Sequence, residues 1–119
     1  MATMTGPLDD LLRARAHVTD PGAWRWNVRR HLVPVREGLS REHAHRRNAW
    51  LSARASQVLR ERDVLLGRLN KLSSEVLVAA DVETVAAQLS RLLVDIEHHA
   101  QRLHDLAYDD VELEIGGSE

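Results

Sequence analysis

Three histidines, His98, His99 and His104, fall within seven residues near the end of the chain, and Asp109 follows five positions after the last. Imidazole nitrogens and carboxylate oxygens hold iron and zinc, and a helical bundle that projects them inward is one way to build such a centre. Any metal site here would draw on His98, His99, His104 and Asp109. Helix spacing limits the set. His99 and His104, or His104 and Asp109, meet across a turn and a half only in particular rotamers, and His43 and His45, two apart, point in different directions. The expectation is therefore no cofactor, with iron or zinc as the alternative.

The elements that must position these groups read as helices. A short first helix is expected over about 6–17, with Leu8, Leu11, Leu12 and Ala16 on one face. Asp20 then caps a second helix that opens at Pro21, where the missing N–H would have been unpaired anyway. Trp24, Val28, Leu32, Val35 and Leu39 recur along it at helical spacing, and Pro34 should kink it. Gly38 and Ser40 are expected to close that helix, with Ser40 capping a long third one that runs to Val78. Its seam is Leu51, Ala55, Val58, Arg62, Leu65, Leu69, Leu72 and Val76. Asp81 caps a last helix with the seam Val85, Leu89, Leu92, Ile96, His99, Leu103 and Leu106. Alternating steps of three and four are the spacing of bundle helices. The fold class is all-α: an antiparallel up-down helical bundle of three longer helices plus a short N-terminal one, four-helix-bundle-like. It occupies residues 1–108 and is followed by an acidic tail, 109–119.

One polar residue interrupts each of the two long seams, Arg62 and His99. Antiparallel pairing across the turn near 78–81 brings His99 level with Arg60 and Glu61. A turn near residue 40 brings His31 level with Ala49 and Asp110, about 16 Å along the bundle from His99 at ~1.5 Å per residue, so the two cannot share a metal. A buried polar network of Arg62 and His99 with Glu61 or Glu97, and His31 as a second interruption near Tyr108 or Asp110, is the structural reading. If His99 is buried neutral, acid should weaken the fold as the ring charges.

Residues 105–119 hold six acidic residues and no basic one. Val111, Leu113 and Ile115 alternate with Glu112 and Glu114, a period of two that predicts an extended tail, either a strap along a groove or a motif offered to a partner. Trp24 and Trp50 read as packing residues. Trp26 points elsewhere on its helix, so Trp26, Val111, Leu113 and Ile115 are the candidate partner-binding residues.

Net charge is only −2, yet residues 13–62 carry twelve arginines against four acids. Arg25, Arg29, Arg30, Arg36, Arg46 and Arg47 could serve a nucleic acid. The acidic remainder, a pI near 6.4 and the lack of a recognition-helix turn or stacking platform make that the least expected partner. With no cysteine there is no thiolate zinc site or disulfide. No secretory pattern, membrane-spanning run, glycine-rich phosphate loop or catalytic constellation stands out, so a cytoplasmic protein that is not an enzyme is expected.

The helix pattern resembles that of hemerythrin-like bundles. The ending "HHAQRLHDLAYDDVELEIGG" is similar to that of a group of uncharacterised actinobacterial bundle proteins that finish in a His-Arg, Asp-Leu-x-Tyr and Gly-Gly pattern. The resemblance implies a four-helix fold and, in its metal-binding members, a di-iron centre on a first-helix His, HxxxE, HxxxH and HxxxxD. Only the last of these spacings is kept, by His104 and Asp109. The function expected is protein–protein contact, through self-association or a partner bound at the acidic tail, with His/carboxylate metal binding as the alternative.

Overall fold

The computed structural model describes residues 6–14, 19–42 and 49–117, the side chains of 49–52 and 110–117 apart. Four helices follow one another: α1 (Gly6–Arg13), α2 (Pro21–Ser40), α3 (Ala49–Val78) and α4 (Val82–Gly117). The described residues contain no strand, and the all-α bundle is the observed fold. Among them no helix is long and apolar enough to cross a membrane.

Local chemistry accounts for the helix ends. Asp20 is extended at φ −127°, ψ 96°, and its Oδ1 accepts from the Ala23 N–H at 3.1 Å, with Pro21 opening the helix behind it. Asp81 does the same for α4, its carboxylate accepting from the N–H groups of Glu83 and Thr84 and from the Thr84 hydroxyl. Such caps satisfy orphan donors and contribute about 1 kcal/mol each. Arg25 Nη1 donates to the Val76 carbonyl at 3.3 Å, meeting one of the last acceptors of α3.

The expected stripes are buried: Trp24, Val28, Leu32, Val35 and Leu39 on α2, Leu65 to Val76 on α3, and Val85 to Ile96 on α4. With Leu8 and Leu12 of α1 they form one core. Each buried Leu or Val contributes about 1.5–3 kcal/mol. α1 packs on α2 and α4, α2 on α3, and α3 on α4, which closes a ring at one end of the molecule. The Trp24 Nε1–H donates to the Leu11 carbonyl at 2.8 Å and ties α1 into that ring.

The lengths are unequal, so the bundle tapers. Among the described residues α1 covers only the end near Trp24, α2 stops at Ser40, and the start of α3 and the end of α4 continue together as a two-helix arm. The molecule measures 63 × 25 × 18 Å. A second small cluster, Ala55, Val58 and Leu106 with Leu103 against it, holds the arm.

α1 spans Gly6–Arg13, and its expected continuation over 15–17 lies outside the described residues. Two expectations are corrected. Ser40 does not cap α3. It is the last residue of α2, where its hydroxyl donates back to the Arg36 carbonyl at 2.9 Å, and α3 begins at Ala49. The tail is not extended, because α4 stays helical through 109–117. Five alternating positions are a short pattern, and once a helix exists each added residue gains a bond. Leu and Glu favour helix, and no proline or glycine intervenes before Gly116. His43, His45, Arg46 and Arg47 lie outside the described residues, as do the side chains of Trp50, Leu51, Asp110, Val111, Leu113 and Ile115.

Candidate functional site

The titratable groups converge where α2 ends and the arm begins. His99 is completely buried, the only buried charged or polar residue among those described. Its seam position on α4 turns the ring inward, between Ile96 of the main core and Leu103 of the arm cluster. The Nδ1 atom lies 2.7 Å from Glu61 Oε1 on α3, and Nε2 lies 2.5 Å from Glu42 Oε1, just past the end of α2. One imidazole therefore ties the residue just past the end of α2 to the middle of α3 and the middle of α4.

Two cations complete the cluster. Arg102, one turn beyond His99, reaches the same Glu61 oxygen from Nε at 3.0 Å and from Nη2 at 2.9 Å. Arg62 donates from Nη1 to the Glu42 backbone carbonyl at 2.9 Å and pairs with Asp63 at 3.0 Å. Arg62 thus fixes the backbone of the residue whose carboxylate holds His99. No buried side-chain nitrogen or oxygen among the described residues lacks a partner.

Carboxylates on both ring nitrogens require two N–H donors, which only the imidazolium supplies. The hydrogen bond to Glu42 raises the His99 pKa, burial opposes the rise, and Glu61 adds to it. Burial alone would raise Glu61, but its bonds to His99 and Arg102 and their charges more than offset this and hold its carboxyl below the usual range. The acid lability expected of a neutral buried histidine is thereby reversed in sign, because charging the ring completes its bonds.

The other expected site residues lie apart. His98 and His104 are exposed, and Asp109 Oδ2 accepts from Arg54 Nη1 at 2.8 Å. Glu97 is exposed, two residues and about 200° around the helix from His99. The carboxylates on the ring are those of Glu42 and Glu61. His31 is half-buried, with Nδ1 2.7 Å from the Asn27 carbonyl one turn back on its own helix. Trp26 is 62% exposed, with the Arg29 guanidinium 5.7 Å from its ring centre.

A di-iron centre on the hemerythrin-like pattern does not fit these residues. The two carboxylates occupy opposite nitrogens of one ring, so they share no point at which an ion could meet both, and His98, His104 and Asp109 face other ways. Among the described residues no group of three or more His, Cys, Asp or Glu side chains is arranged to hold a metal ion.

Sequence reasoning did not single out Glu42. It follows α2 in a segment without periodicity, 57 residues before His99, and no spacing rule connects them. Arg102 could have been found, since three residues after His99 is a neighbouring position on a helix.

No family model, curated protein or solved structure matches the chain.

Proposed function

We propose that this chain is a non-enzymatic contact protein whose two-helix arm packs on another helical surface, first of all that of a second copy. The taper is the observation that carries this reading. α3 and α4 run past the end of α2, and the described part of the arm buries only Ala55, Val58 and Leu106, with Leu103 half-buried. Helices of this length draw most of their stability from packing an apolar face, and the described part of the arm shares only a small one. Tyr108, 60% exposed on the arm, adds apolar surface for a contact. The buried His99 ring, with both nitrogens bonded within the chain, fits a joint that holds three helices in register.

Hydrogen exchange tests the reading. In dilute protein the arm amides, 53–60 and 101–109, should exchange at least tenfold faster than the body amides of 65–76 and 85–96, and they should gain protection as concentration rises. Equal protection of arm and body at every concentration would remove the need for a contact.

A further inference from the structure

The outer face of α2 carries Trp26, Arg29, Arg30 and Val33 at the i, i+3, i+4, i+7 spacing of one helix side. The Arg29 guanidinium stacks over Trp26 at 5.7 Å, and Arg30 Nη2 donates to Asn27 Oδ1 at 3.0 Å. Trp26 is 62% exposed and Val33 39% exposed, and these residues line an open concavity of about 330 Å³. Large apolar side chains framed by guanidinium groups are the composition of contact hot spots, in which Trp and Arg are over-represented.

We infer that this face binds the acidic end of α4 from a second copy of the chain. Residues 105–119 carry six acidic side chains and no basic one. The negative end of the α4 dipole lies there too, so charge and dipole both suit an arginine-rich surface.

The chain's own α4 end cannot reach the face. Arg25 bonded to the Val76 carbonyl sets the start of α2 beside the end of α3, whereas Arg54 bonded to Asp109 sets the end of α4 beside the start of α3. The helix between Arg54 and Val76 is about 33 Å long at ~1.5 Å per residue. An antiparallel pair of copies brings each acidic end to the other's α2, so a two-fold axis makes the contact twice. The same acids disfavour a nucleic acid on this surface, since they would repel its phosphates.

This inference rests on the contact function proposed above and names one of its surfaces. Sedimentation velocity on the full chain should be compared for the parent, Trp26→Ser, Arg29→Glu with Arg30→Glu, and Glu112→Lys with Glu114→Lys. All the α2 changes are at solvent-accessible positions, and circular dichroism checks that the fold is kept. Each variant alone should raise the dimer dissociation constant by at least tenfold. An equimolar mixture of the two charge-reversed chains should recover association that neither shows alone. A parent dimer indifferent to the α2 variants would overturn the assignment of this surface while leaving the contact function intact. A parent that stays monomeric would remove the second copy as occupant.

Discussion

His99 shows how much one side chain contributes when both its ring nitrogens are used. Its raised pKa favours the fold fully below the unfolded value of about 6.5, and that contribution is lost as pH rises through the folded value. Glu61, held low, acts in the opposite sense. Its contribution is present above the ordinary glutamate value of about 4.3 and is lost as pH falls through its folded value. Stability should therefore be greatest between these ranges and fall on either side. Urea midpoints for His99→Leu should lack the alkaline decline of the parent, with a cost of about 1–3 kcal/mol near pH 6 that shrinks as the parent ring deprotonates. A parent midpoint that instead rises with pH through the histidine range would mean a neutral ring. The groups facing His99 are Glu42, Glu61, Arg62 and Arg102, and only part of that cluster was legible in advance. Helix register gave Glu61 as the neighbour, because two regular antiparallel helices leave little freedom. Glu42 was hidden because it follows a helix end, where no periodicity says which way a side chain turns.

The helices themselves were largely legible, for reasons visible in single elements. The α4 seam from Val85 to Leu106 repeats at bundle spacing without a break other than His99, and Asp81 before it can only be a cap once the seam is recognised. The start of α3 was less so. Ser40 looks like a cap, yet its hydroxyl is satisfied within α2, and several residues separate the two helices. The end of α4 misled for a different reason, since a period of two over five residues competes poorly with helix propagation. The interior of α3 also contains an exposed glycine, Gly67, where an added Cβ would meet nothing within 4 Å. Gly67→Ala should therefore stabilise the protein by about 0.5–1 kcal/mol through backbone entropy alone. A thermal or urea midpoint that stays unchanged or drops would show that this position is not free solvent-facing helix.

At the scale of the molecule, the taper from four helices to two leaves an arm whose described part has a small core, an acidic chain end, and an arginine-rich face on α2 toward the other end of the bundle. One chain cannot bring these together, and two can. The total charge of −2 conceals this division, which appears only when the charges are followed along the chain. The buried His99 ring is bonded to carboxylates on both sides, so both of its nitrogens are committed within the chain. The most direct measurement is the mass of the untagged chain by light scattering from low to high micromolar concentration near pH 7. The account predicts a rise from the 13.5 kDa of the single chain toward twice that value, reversed by added salt as the acid–arginine contacts are screened. A mass that stays at 13.5 kDa across the whole range would contradict it.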